Sequence, residues 1–218
     1  MKIGVFDSGI GGLSVADAIE RAMPEHEIIF RDDVGHLPYG TKTPDEIFSY
    51  VVPILDDMVR EGCQVLVIAC NTVSTNLIGR LRERLTVPLV AVEPMVKPAA
   101  AATKSRVIAV CATPTTLASP RYAELKDIYA RDITVLEPDC STWTAMIESN
   151  TVDRDHITRT IDDVIENGAD VIVLGCTHYH WIESLITEAA HGRATVIQPE
   201  PAVVRRLADV IADRALQL

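Results

Sequence analysis

The chain has 218 residues, 48% of them hydrophobic, and carries 31 Asp and Glu against 20 Lys and Arg for a formal net charge of −11. That is enough apolar material for one large domain or two small ones, and it excludes wholesale disorder. The acidic balance has no compensating basic cluster, which argues against a nucleic-acid partner, and no apolar run reaches transmembrane length.

No signal-peptide pattern precedes the first aliphatic run, so the expectation is a cytoplasmic protein with no membrane partner. The five cysteines, Cys63, Cys70, Cys111, Cys140 and Cys176, are odd in number and show no C-x-x-C spacing. They read as free thiols in a reducing compartment, not as a disulfide framework or a zinc ribbon.

The first predicted strand, 2–6, runs into Asp7-Ser8-Gly9-Ile10-Gly11-Gly12. This loop matches neither G-x-G-x-x-G nor the Walker pattern, so a nucleotide site has little support. Its glycines permit a tight turn whose N–H groups could hold a carboxylate. Asp7 suits a substrate ammonium or the proton of a nearby thiol; the alternative is a helix N-cap. A helix over 12–22 and a strand over 27–31 follow, then Asp32 and Asp33, which read as ligand contacts or as solvated loop charges. Pro38-Tyr39-Gly40 is a turn by composition. The helix predicted over 44–61 has a start signal in Thr43, Pro44 and Glu46. The strand over 64–69 ends at Cys70-Asn71-Thr72, with a helix over 74–85 and a strand over 88–92 behind it. Cys63, in the connection before that strand, reads as a small buried hydrophobe. Glu93 to Pro98 reads as a crossover.

The second half repeats the pattern. A strand over 106–110 leads to Cys111, then Thr113, Thr115, Thr116 and Ser119, hydroxyls that suit carboxylate binding or, equally, helix capping. A helix over 119–129 and a strand over 133–136 come next, followed by Cys140, read as structural, and by Glu148 in a helical stretch, where it could be a plain surface charge. A helix over 153–167 leads to a strand over 170–175, which ends at Cys176-Thr177-His178; a helix over 179–190, a strand over 194–197 and a helix over 200–216 complete the chain. This alternation implies an α/β fold with mostly parallel sheets covered on both faces.

Val65-Leu-Val-Ile-Ala-Cys70 and Val171-Ile-Val-Leu-Gly-Cys176 match each other, and Asp7 precedes Cys70 by 63 positions where Cys111 precedes Cys176 by 65. The spacing points to two similar α/β halves related by a pseudo-twofold, with a site in the cleft between them. Domain 1 would take residues 1–96 and domain 2 residues 97–197. Two thiols at strand ends, each able to lean on a helix N-terminus, suit two-base proton transfer at a carbon acid. Cys111 would lie near substrate without acting on it. His178 could tune or relay a thiol proton. A metal pair of His178 and His180 lacks further ligands at metal spacing, so no metal is expected. The lysines offer no Schiff-base context, so no cofactor is expected either.

With those motifs assembled, the chain resembles the cofactor-independent, two-cysteine aspartate/glutamate racemase family. The resemblance rests on Gly4-Val-Phe-Asp7-Ser-Gly-Ile-Gly-Gly-Leu-Ser14, Pro38-Tyr-Gly-Thr-Lys42, Ala69-Cys-Asn-Thr72 and Gly175-Cys-Thr-His-Tyr179. The Thr-His after Cys176 favours the glutamate members. The resemblance implies that Cys70 and Cys176 are the acid–base thiols and that Asp7, Asp33, Glu148 and His178 assist them. Asp7, Ser8, Pro38, Tyr39, Gly40, Asn71, Thr72, Thr177 and His178 would contact substrate, with Thr113, Thr115 and Thr116 as added hydroxyls. It also implies that residues 198–218 return to domain 1. A small acidic amino-acid substrate, a homodimer, and a role supplying D-glutamate to peptidoglycan are implied as well. The chain departs from the family pattern at Val34 and His36 for the usual Thr and Arg, at His180 for Pro, and at Gln198-Pro199 for Asp-Ser. These changes keep open another acidic amino acid such as aspartate, or a binding role such as DNA gyrase inhibition; a metal hydrolase built on His178 and His180 is a third, weaker option.

Overall fold

The structure, a computed structural model, describes residues 1–215. Contacts divide the chain into two units, one of Met1–Glu93 with the described part of Pro199–Leu218, the other of Pro94–Gln198.

In the first unit, β1 (Lys2–Phe6), β2 (Glu27–Arg31), β3 (Cys63–Ile68) and β4 (Leu89–Ala91) form a parallel sheet in the order β2-β1-β3-β4. Its helices are α1 (Leu13–Ala22), α2 (Pro44–Arg60), α3 (Asn71–Arg84) and, from the end of the chain, α10 (Glu200–Ala215). Strand periodicity decides which face each side chain joins. Ile3, Val5, Val65 and Val67 pack with α1 and with Val203 and Leu207 of α10. Phe6, Leu66 and Ile68 pack on the other face with Ile47, Val51 and Leu55 of α2 and Val73 and Leu77 of α3. Both faces are therefore covered, as parallel strands require. The expected start of α2 is present as a full capping box, in which the Thr43 hydroxyl accepts from the Glu46 N–H and the Glu46 carboxylate accepts from the Thr43 N–H.

The second unit repeats this plan. Its strands β5 (Val107–Cys111), β6 (Thr134–Leu136), β7 (Val171–Leu174) and β8 (Thr195–Ile197) are parallel in the order β6-β5-β7-β8. Its helices are α4 (Val96–Ala102), α5 (Pro114–Leu117), α6 (Pro120–Tyr129), α7 (Trp143–Glu148), α8 (Arg154–Glu166) and α9 (Glu183–Ala190). Ile108, Val110, Val171 and Val173 face α4 and α6, while Ala109, Cys111, Ile172 and Leu174 face α7, α8 and α9.

Some elements differ from the sequence reading. Helix α3 begins at Asn71 and not at 74, so Cys70 is its N-cap residue. The helix expected over 179–190 is a 3-10 turn, Thr177–Ile182, running into α9. Helix α4 occupies part of the expected crossover, α5 was not foreseen, and α7 gives bounds to the helical stretch expected around Glu148. The last position of the expected helix 200–216 lies outside the described residues. No described helix is long and apolar enough to cross a membrane.

Candidate active site

The strand order defines where each unit can bind a ligand. In the first sheet, β1 and β3 are neighbours, while the strands that follow them, β2 and β4, lie on opposite sides. The crevice at the C-terminal ends of such a strand pair is the usual ligand position in open α/β sheets. Asp7 follows β1 and Cys70 follows β3, so both stand there. In the second sheet the equivalent pair is β5 and β7, whose ends carry Cys111 and Cys176.

In the first unit, Asp7, Ser8, Asn71 and Thr72 are all buried, and Cys70 keeps 5% exposure. The Ser8 hydroxyl lies 3.4 Å from the Cys70 sulfur, and the Ser8 N–H donates to Asp7 Oδ1 at 2.8 Å. Asp7 is no helix cap; Gly9 and Gly12 occupy the cap positions after β1. A Cβ on Gly12 would lie 2.4 Å from the Asp7 Cβ, so only glycine lets the turn close over that carboxylate. Cys70 precedes a 14-residue helix, whose N-terminal field favours a thiolate. Both polar atoms of the buried Asn71 amide lack a hydrogen-bond partner in the protein. Asp33 is buried while Asp32 is exposed, which separates two aspartates that residue chemistry alone left equal. The Tyr39 hydroxyl donates to Asp33 Oδ2 at 2.5 Å, and His36 Nδ1 lies 2.7 Å from Asp33 Oδ1. Burial, then the bond to Asp33 and its charge, pushes the Tyr39 hydroxyl above the ordinary tyrosine range, so it stays a neutral donor. Pro38 is exposed and Gly40 half-buried beside it.

In the second unit, Cys176 is 8% exposed and its sulfur lies 3.8 Å from His178 Nδ1 and 3.8 Å from the Thr144 hydroxyl. His178 Nε2 is 2.5 Å from Glu148 Oε1. Glu148 is therefore not a plain surface charge. As a carboxylate it accepts, so Nε2 carries a proton and the ring is oriented with Nδ1 towards the thiol. A Cβ on Gly175 would lie 2.9 Å from the Ala112 Cβ and 3.1 Å from the Cys111 carbonyl, so glycine lets β7 close against the end of β5. The Gly175 N–H donates to that carbonyl at 2.7 Å. Cys111 and Cys140 are buried; the hydrogen bond with Cys111, then burial, pushes the Cys140 thiol far up, so it stays neutral. Tyr179 packs edge-on against Trp143 at 5.1 Å and donates to the Cys140 carbonyl, which ties the turn after Cys176 to the segment before α7.

Thr177 is buried in the 3-10 turn after Cys176. Thr113 caps α5 by accepting from the Thr116 N–H, and Ser119 caps α6, so capping, one of the two readings of this hydroxyl group, is present. Thr115 is half-buried and Thr116 buried. His178 and His180 have separate partners, since His180 Nδ1 pairs with Gln198 at 3.0 Å. Sequence reasoning did not find Thr144 or the contact of His36 with Asp33. Thr144 had no signal, because α7 is only six residues long. His36 was visible only as a departure from a pattern.

A family model for Asp/Glu/hydantoin racemases matches residues 3–207. A glutamate racemase of Pseudomonas aeruginosa is 40% identical over 219 aligned residues, covering 98% of this chain and 83% of its own. Among solved structures, Escherichia coli glutamate racemase in complex with L-glutamate and the activator UDP-MurNAc-Ala aligns with a TM-score of 0.89 at 29% identity, over 97% of this chain and 82% of that one. Francisella tularensis glutamate racemase in complex with D-glutamate aligns with a TM-score of 0.81 at 26% identity, over 99% and 82%.

Proposed function

The chain belongs to the Asp/Glu/hydantoin racemase family, and from that membership we propose that it interconverts L- and D-glutamate by moving the α-proton between Cys70 and Cys176 without a cofactor. The observation that carries the reading is the equivalent placement of the two thiols. Each follows the third strand of its sheet, beside an acid–base neighbour: Ser8 and Asp7 for Cys70, His178 and Glu148 for Cys176.

In the proposed reaction a thiolate takes the proton from one face of Cα. The electron pair stays on carbon, and the opposite thiol delivers its proton to the other face. One S–H forms, one S–H breaks, and the configuration inverts. Cys70 acts as base on D-glutamate and Cys176 on L-glutamate. After turnover the thiols have exchanged protonation states, and Asp7 and His178 return them. The barrier is the weak acidity of Cα beside a carboxylate; pre-aimed N–H and hydroxyl donors from Ser8, Asn71, Thr72 and Thr177 offset it. Tyr39, Gly40 and Pro38 border the substrate, Thr113, Thr115 and Thr116 add hydroxyls, and Asp33 and Glu148 assist the thiols, Asp33 bonded to Tyr39 and Glu148 to His178. The unpartnered amide of Asn71 supports this, since a substrate carboxylate or ammonium would satisfy it. On this reading the enzyme works as a cytoplasmic homodimer whose D-glutamate enters peptidoglycan.

The test is incubation of the reduced protein with L- or D-glutamate in deuterated water, following loss of the Cα proton by NMR. Exchange together with the opposite enantiomer is expected, and Cys70→Ser or Cys176→Ser should reduce racemisation by about 10³-fold or more. Exchange of aspartate but not glutamate would move the substrate; full racemisation in either mutant would sink the two-thiol reaction.

A further inference from the structure

Beside Cys70 in the first unit, one chain of contacts leads outward to solvent. Tyr39 packs in the same buried cluster as Cys70. Its hydroxyl is committed to Asp33 Oδ2 at 2.5 Å, and the other oxygen of that carboxylate meets His36 Nδ1 at 2.7 Å. Asp33 is 9% exposed, but the His36 side chain is 48% exposed. The imidazole is not loose: it stacks on the Tyr50 ring of α2 with centroids 3.9 Å apart and planes 9° apart. The Lys42 ammonium lies 6.0 Å from the centre of that same ring. The groups facing His36 are thus the Asp33 carboxylate, the Tyr50 ring and, beyond that ring, the Lys42 ammonium.

We propose that His36 is a positioning residue for the Cys70 half of the site, its charge deciding, through Asp33 and Tyr39, how readily Cys70 becomes a thiolate; the inference rests on the reading of Cys70 as an acid–base thiol. Protonated imidazole neutralises Asp33 through a charge-assisted bond. The carboxylate then adds little net negative charge near Cys70. Neutral imidazole leaves Asp33 uncompensated, and its field, carried inward beside Tyr39, opposes ionisation of the thiol. Asp33 and Cys70 both act on Tyr39 electrostatically, which places the three within one field. An ordinary imidazole changes charge between pH 5 and 8. The thiolate fraction of Cys70 therefore rises with pH less steeply than for an isolated thiol.

The distinguishing experiment uses the full chain and two variants, His36→Arg with a permanent charge and His36→Gln with none. The rate of Cys70 alkylation by iodoacetamide is followed against pH by mass spectrometry of the Cys70 peptide. The pH profile of kcat/KM for glutamate is measured in parallel. The Arg variant should alkylate at lower pH than the Gln variant, with rates about fivefold apart at pH 7, the low end for coupling through an exposed group. The parent should follow the Arg variant in acid and the Gln variant in base. Alkylation needs no substrate, so this pattern can appear even in a protein without racemase activity, and that result would count against the proposed reaction alone. Coincident alkylation profiles in all three proteins would overturn the role of His36, whatever the racemisation rate.

Discussion

The buried amide of Asn71 is in conflict with stability. Each of its polar atoms is shut away from water with no protein partner, and a group in that state costs on the order of 1–3 kcal/mol. Asn71→Leu keeps the approximate volume and removes both orphans, so the melting temperature should rise. If the amide exists to meet substrate, KM should rise about tenfold or more in the same variant. A drop in melting temperature with unchanged KM would show that the amide serves the fold. Glu148 poses a different question, because it touches His178 and not the sulfur. Glu148→Gln keeps an acceptor for Nε2 and removes the charge that supports an imidazolium. The expectation is a fall of about tenfold in kcat with little change in KM, the usual loss for a group acting through another. A change in KM alone would instead place Glu148 against substrate.

Between elements, one carboxylate ties the entrance of β5 to that of β7. Asp170 accepts from the Thr103 hydroxyl at 2.5 Å and from the N–H groups of Lys104 and Ser105 at 2.7 and 2.9 Å. Arg106 follows at a positive φ of 63°, unfavourable for a residue with a Cβ, so the staple holds a bend the chain would not choose alone. Burial, the largest single influence, raises the Asp170 pKa, but the hydrogen bonds from Thr103, Lys104 and Ser105 together outweigh it and bring it down to about 2 from 3.8. The folded-state pKa is depressed, so the stabilisation is complete above the ordinary carboxylate range and is lost as pH falls from 3.8 towards 2. Asp170→Asn should cost about 1–2 kcal/mol at neutral pH, and its deficit against the parent should shrink on acidification. A deficit independent of pH would mean that the charge contributes nothing. This staple was invisible in the sequence, since it joins positions far apart. What could be read were features with a local signature: eight aliphatic strands, and α2 with Thr43 and Glu46 at its start. Helices α4, α5 and α7, at seven, four and six residues, are too short to show a 3.6-residue period. Helix α3 starts earlier than expected because its N-cap is Cys70, which carries no capping side-chain bond. The strand-end placement of Cys70 and Cys176 could be read because each ends an aliphatic run in a matched segment. The Glu148–His178 contact could not be derived from residue spacing, since it joins positions 30 residues apart.

At the scale of the whole molecule, the same strand order occurs in both units, β2-β1-β3-β4 and β6-β5-β7-β8, and each puts a cysteine behind its third strand. That repetition fits the two equivalent ends of the proposed reaction, and it meets a second molecular property, the net charge of −11. Glutamate at neutral pH carries one net negative charge, so the long-range field repels the proposed substrate even where local donors attract it. Salt should weaken the repulsion first, because it acts over distance, and the contacts in the buried site much less. Raising sodium chloride from 10 to 150 mM shortens the screening length from about 30 to about 8 Å, and kcat/KM should rise about twofold over that range. Because the equilibrium constant of a racemisation is one, the rise must be the same starting from L- or D-glutamate. A rise in one direction only would point to an artefact of the coupled assay. A fall in both would mean that the site's own donors, not the net charge, dominate the field the substrate meets on approach.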